Sequence, residues 1–139
     1  MAKYEDIEIT EEFLDKNPDA YFIFGDNLER RGSGGAAKLR NHPHAIGFIT
    51  KKFPDNNDES FYKPEEYCSV FFEELEKLKI IIQKYPNKLF YISQLGGGLG
   101  NRYKIWEKLI RHNLVRSLEK FDNITFCWYD NLIQTKYEK

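Results

Sequence analysis

Apolar positions fall along the chain in short continuous runs and in longer stretches of helical spacing, and the two kinds alternate. Residues 21–24, Tyr-Phe-Ile-Phe, form a continuous apolar run ended by Gly25-Asp26-Asn27, the pattern of a buried strand feeding a turn. Ahead of it, Thr10 predicts the cap of a short helix through Phe13 and Leu14 that Asn17-Pro18 stops. Behind it, a polar glycine-rich loop over 26–35 leads to a short helix around Ala36, Ala37 and Leu39. His42-Pro43 ends that helix, because a residue before proline is pushed out of the α region. Residues 45–49 read as a second strand, and 50–63 as a polar connection long enough to act as a lid.

The second half repeats the alternation at larger scale. Pro64 opens a helix over 64–84, with Tyr67, Phe71, Leu75, Leu78 and Ile82 on one face, and Pro86-Asn87 closes it. A strand over 89–92 precedes a second glycine-rich loop. A second long helix is expected over 101–120, with Trp106, Ile110, Leu114 and Leu118 as its buried stripe, and a strand over 124–128. Connections too long for hairpins argue for one α/β domain over 1–139, its sheet mostly parallel or mixed, with helices on both faces.

Composition narrows the function classes. The 139 residues carry a formal net charge of −1, so no global basic field of the kind behind non-specific nucleic-acid binding is present. Aromatic residues reach 16%, enough for a bulky core and for stacking surfaces. Cys68 and Cys127 lie far apart and share no ligand spacing with His42, His44 or His112, which predicts reduced thiols and no metal centre. No segment approaches the roughly 20 apolar residues of a membrane span. The first residues lack the apolar core of an export signal, so a cytoplasmic protein is expected.

Eight of the nine glycines sit in two loops: Gly25, Gly32, Gly34 and Gly35 in the first, and Gly96, Gly97, Gly98 and Gly100 in the second. Each follows a strand and opens a predicted helix, the place where α/β folds bind ligands. Glycine allows close backbone approach, and a helix N-terminus offers free N–H groups, so a phosphate or pyrophosphate fits. Arg30, Arg31, Lys38, Arg40, Lys51, Lys52, Arg102 and Lys104 lie in or beside the loops. P-loop spacing is absent, and Gly32-x-Gly34-x-x-Ala37 matches the dinucleotide fingerprint only by letters, since it starts seven residues beyond Gly25. At the end of the first strand, Asn27 can orient a ribose hydroxyl or a water, and Asp26 can accept from a hydroxyl or act as a base. The alternative for the pair is an Asx turn that caps the strand.

Strand-Asn27, then Gly32-x-Gly34-Gly35-Ala36, then a late strand followed by Gly96-Gly97-Gly98-Leu99-Gly100, resembles the macrodomain family. More closely, Phe24-Gly25-Asp26-Asn27, Gly34-Gly35-Ala36, Arg40, Gly47 and Thr50-Lys51 look like a group of small phage and bacterial proteins, distant macrodomain-like chains. The resemblance covers roughly residues 20–120. It implies a macrodomain-like fold that binds ADP-ribose or another NAD-derived nucleotide, free or as an ADP-ribosyl group on a macromolecule, and needs no cofactor. Under it, Gly25, Gly32, Gly34, Gly35, Ala36 and Thr50 line the ribose-phosphate side, while Gly96, Gly97, Gly98, Leu99 and Gly100 clasp the pyrophosphate. Asn27, Asp26 and Lys51 are the implied catalytic residues if an ADP-ribosyl linkage is hydrolysed. Phe53, Phe61, Tyr62 and Tyr103 are candidates for stacking on adenine. The Asp-Ile pair with which macrodomains read adenine is matched by Asp6-Ile7, with Glu5 in the place of the family's glycine. Besides an ADP-ribosyl hydrolase, the same motifs fit a non-catalytic sensor or sponge, such as one used in phage counter-defence. A protein-interaction module with structural glycine loops is the remaining alternative.

Overall fold

A computed structural model describes residues 1–129. The elements run β1 (Lys3–Tyr4), α1 (Glu11–Lys16), β2 (Ala20–Asn27), a 3-10 turn (Gly35–Leu39), β3 (Ala45–Lys51), a 3-10 turn (Asp58–Ser60), α2 (Pro64–Lys84) and β4 (Leu89–Ile92). A π-helical turn (Trp106–Ile110), α3 (Arg111–Leu118) and β5 (Ile124–Phe126) complete them. The five strands form one sheet in the order β1-β5-β4-β2-β3. Every pairing is parallel, so the expectation of a mostly parallel or mixed sheet resolves to a wholly parallel one.

β2 is central, and its alternating side chains feed two cores. Ala20, Phe22 and Phe24 pack with Ile9, Leu14 and Leu39 against α1 and the first 3-10 turn. Ile23 joins a larger cluster on the opposite face, built from α2 and α3 through Tyr67, Phe71, Leu75, Leu78, Ile82, Ile110, Leu114 and Leu118. Burial of that scale, at ~25 cal/mol per Å² of apolar surface, is what holds two-sided sheets together.

Local chemistry sets the helix ends. Thr10 Oγ1 accepts from Phe13 N–H at 3.1 Å, as the cap pattern predicts. Pro64 starts α2, and the Glu66 carboxylate accepts from Lys63 N–H at 3.0 Å. α2 also reaches edge strand β3. Glu74 Oε1 accepts from Ile49 N–H at 2.7 Å, and the Tyr67 hydroxyl donates to the Ile49 carbonyl, so both outward backbone groups of Ile49 are satisfied. Burial pushes the Tyr67 phenol well above its ordinary range.

Some boundaries differ from the expectation. β1 is a two-residue strand that carries no periodicity, and it forms only by pairing with β5. The last strand stops at Phe126, and Trp128 packs into the core beyond it. The helix expected from 101 starts only near Trp106. Lys104 takes a left-handed φ of 63°, which breaks any helix there. The Asn101 side chain then caps the late start, accepting from Trp106 N–H at 3.0 Å.

Candidate functional site

The chain leaves β2 toward β3 on one side and leaves β4 toward β5 on the other, so β2 and β4 flank the point where the winding reverses. Parallel sheets form a crevice at that point. The loops that follow these two strands are the two glycine-rich loops. Between them lies a cleft of about 550 Å³. Gly25, Asp26, Asn27, Gly32, Gly34, Gly35, Ala36, Thr50, Lys51 and residues 96–100 line it. The residues expected at the chemistry and at the phosphate clasp are thus brought to one cavity.

The first loop is tied by polar side chains. The Asp26 carboxylate, 3% exposed, pairs with Arg40 Nη1 at 2.7 Å and, more distantly, with Arg30 at 3.6 Å. Its Oδ1 also accepts from Asn27 N–H at 2.8 Å. Arg40 donates Nε–H to the Gly32 carbonyl at 3.0 Å and lies over the Phe24 ring. Its Nη2 is buried with no hydrogen-bond partner. Gly47, on the neighbouring strand, leaves room for this pair, since a Cβ there would lie 2.5 Å from Asp26 Oδ2. Asn27 Oδ1 accepts from Glu29 N–H at 3.0 Å and its Nδ2 donates to the Arg31 carbonyl at 2.7 Å. That is the Asx turn weighed above.

The second loop is held by packing. Gly96 has a φ of +71°, and a Cβ on it would lie 2.7 Å from Ile110 Cδ1. Leu99 reaches back across the mouth, with its Cδ1 3.0 Å from the position of a Cβ on Gly34. The N–H groups of Gly98, Leu99 and Gly100 donate to no described residue. They replace the helix N-terminus expected at 101 as the free donors of this loop.

β2 and β3 lose register between Asp26 and Asn27, so that Thr50 is the extra residue of a bulge. The Thr50 hydroxyl oxygen lies 3.0 Å from the position of a Cβ on Gly25 and 3.5 Å from one on Gly100. Lys51 rests its ammonium 4.6 Å from the centroid of the Phe61 ring and forms no ion pair among the described residues. Burial lowers its pKa, nearby Asp55 works against that, and Arg102 adds to it.

The family model of DUF7831, a family of unknown function, matches residues 4–102. The chain belongs to that family. None of the curated proteins and none of the solved structures compared with it matches. The stretch that defines the DUF7831 match contains every residue lining the cleft, both glycine loops and the Thr50 bulge. It leaves out α3, which packs on one face of the sheet, and the strand β5.

Of the basic residues expected around the cleft, Arg31, Arg40 and Lys51 line it. Lys38 pairs with Glu8, Lys52 with Glu66 and Arg102 with Asp58. The aromatic candidates do not line it either. Phe61 and Tyr62 are buried under Lys51 and Lys52, and Phe53 and Tyr103 lie outside the cavity. Sequence reasoning missed Ser33, Pro54, Ser93 and Gln94. The last two were findable as the step between strand β4 and its glycine run. A second lobe of about 460 Å³ shares Ser33, Gly35, Ala36, Ser93 and Gln94 with the cleft and adds an apolar wall of Ile7, Ile9 and Phe22. Among the described residues, no cluster of His, Cys, Asp or Glu could hold a metal, and no helix is long and apolar enough to cross a membrane.

Proposed function

We propose that this DUF7831 chain captures a nucleotide of the ADP-ribose type, with its phosphates between the two glycine loops and its base in the adjoining apolar lobe. The observation that carries the reading is the meeting of both glycine loops at the reversal point of a parallel sheet, in one cleft lined also by Arg31, Arg40 and Lys51. The apolar lobe supports the same ligand. It takes a flat base against Ile7, Ile9 and Phe22, a role given above to aromatics that lie elsewhere. Ile7 in that wall is the residue that matched the macrodomain Asp-Ile pair.

Capture without turnover fits the polar groups better than hydrolysis. Asp26 is neutralised by Arg40, and Asn27 is bound into its turn, so the two residues nominated for a base and a water are engaged in shaping the loop. Lys51 alone among the nominated catalytic residues stays uncommitted. A cleft of this kind also admits an ADP-ribosyl group carried on a macromolecule.

Calorimetric titration with ADP-ribose, NAD, cyclic ADP-ribose, AMP and pyrophosphate tests the reading. Ligand at a hundred times its dissociation constant stabilises the fold by about 2.7 kcal/mol. Binding is expected to disappear in Gly34→Val, whose side chain meets Leu99 at the mouth. Failure of every nucleotide to bind overturns the proposal. Release of free ADP-ribose from an ADP-ribosylated peptide would replace capture by hydrolysis.

A further inference from the structure

The backbone at Gly97 makes no demand for glycine, since its φ lies outside the left-handed region. What excludes a side chain there is Gln94. A Cβ on Gly97 would lie 2.7 Å from Gln94 Cγ and 2.9 Å from both its Cδ and its Nε2. The two residues close one turn, in which the Gln94 carbonyl accepts from Gly97 N–H at 2.9 Å and Gly96 takes its left-handed φ of +71°. Ser93 ties that turn to the sheet by donating its N–H to the Ile23 carbonyl at 3.0 Å. The exposed Gln94 side chain is thus laid across a fixed piece of backbone, at a point that lines both the cleft and the adjoining lobe.

The lobe sets few polar groups beside its apolar wall. On its lining, Lys38 and Glu8 pair with each other at 3.0 Å. Burial, with a smaller contribution from Glu5, pushes the Cys127 thiol up to about 12, so it stays neutral and is a weak donor. Ser33 and Ser93 each offer one rotating hydroxyl. Gln94 alone among the described lining residues holds a donor and an acceptor in one rigid plane. Such a pair fits a heterocycle edge that shows a donor beside an acceptor. An amide side chain makes that fit to adenine, accepting from the 6-amino group and donating to a neighbouring ring nitrogen.

We infer that Gln94 is the specificity-determining residue of the lobe and reads the edge of adenine, with Gly97 kept free of a side chain to make room for it. The inference rests on the nucleotide reading and adds which base is selected and by which side chain. An apolar wall of Ile7, Ile9 and Phe22 accepts any flat base. A hydrogen-bonding group discriminates, because an analogue that lacks the matching atom leaves it unpaired.

The test is calorimetry with two probes, ADP-ribose and its analogue carrying unsubstituted purine in place of adenine, on wild type, Gln94→Met and Gly97→Ala. Melting curves verify folding. Phosphates and riboses are the same in both probes, so the ratio of their affinities reports the base alone. One neutral hydrogen bond corresponds to about 3–10-fold in affinity, and wild type should favour ADP-ribose by that factor. Gln94→Met, at an exposed position, keeps the length without the amide and should bring the ratio to about one. Gly97→Ala should lower the ratio as well, by displacing Gln94. A wild-type ratio near one, or a ratio that Gln94→Met leaves unchanged, overturns the inference and leaves the nucleotide reading standing. That holds even where both affinities fall together, the result of a Gln94 that only supports the turn. Absence of binding by either probe in wild type overturns both.

Discussion

The two glycine-rich loops look alike on paper and are built differently. The first is an assembly of polar side chains: Asp26 to Arg40, Arg40 to the Gly32 carbonyl, and Asn27 across its own turn. The second has almost no side-chain hydrogen bonds of its own and is shaped by Gly96 lying against Ile110 and Ile105. Beside the first, Gly47 on the adjacent strand gives room to a buried ion pair. In the second, glycine lets the backbone sit directly on the hydrophobic core. A loop welded by charge answers to mutation of its partners, whereas a loop seated on a core answers to added volume.

The largest effect should come from the packed loop. Gly96→Val combines a left-handed backbone with a collision at 2.7 Å, and strain plus overpacking amount to about 3–5 kcal/mol. Calorimetric melting should fall by about 10 °C or more. If the melting point barely moves, the packing account of this loop is wrong.

Next comes the welded loop. Asp26→Ala leaves the Arg40 guanidinium mostly buried without its partner, a loss of roughly 3 kcal/mol. Hydrogen exchange should accelerate in residues 27–35 and stay unchanged in 96–100. Equal acceleration in both loops would mean that they move as one unit. Gly47→Ala should reproduce the pattern through its 2.5 Å approach to Asp26, although that residue lies in neither loop.

Lys51 gives a smaller effect with a definite sign. Its pKa is lowered in the folded chain, first by burial, so between that value and the ordinary 10.5 the unfolded chain holds more protons. Stability from this group therefore rises with pH through that window, and the charged lysine is a slight burden at neutral pH. Lys51→Met should melt slightly higher at pH 7, with the gap shrinking as the pH approaches 10.5. A variant that melts lower at pH 7 would contradict the assignment.

The smallest effect is expected at Gly98. No heavy atom lies within 4 Å of a Cβ there, so Gly98→Ala should change stability by less than about 0.5 kcal/mol in chemical denaturation. It serves as the reference against which Gly96→Val is read.

This contrast was not legible in the sequence, and the reason is physical. Glycines clustered after strands mark where a backbone must come close to something, but not whether that something is a carboxylate or an isoleucine. Local signals did well: Pro64 and the spacing from Tyr67 to Ile82 predict α2 and its end near Lys84, and the strand cores at 21–24 and 89–92 were visible as apolar runs. The residues of the two glycine loops, with Asp26, Asn27, Thr50 and Lys51, came together because loop position follows from strand order in a parallel sheet. What failed needed distant partners. β1 exists only as a neighbour of β5, the apolar lobe recruits Ile7 and Ile9 from the chain's start, and the Thr50 bulge is a matter of register, which no single strand records. The late helix start turns on one side chain, Asn101, competing with the backbone for Trp106.

The hold that α2 takes on Ile49 has an effect beyond the strand it touches. An open parallel sheet ends in a row of backbone donors and acceptors that another molecule's extended segment could extend, and concentrated solutions make such growth self-propagating. Here a carboxylate and a phenol from one helix occupy that row at the middle of β3, and Phe61 bridges it at Lys51. An incoming strand would have to strip a buried glutamate of its partner before gaining its first ladder bond. The same helix that fills the core thus closes the β3 edge to an added strand.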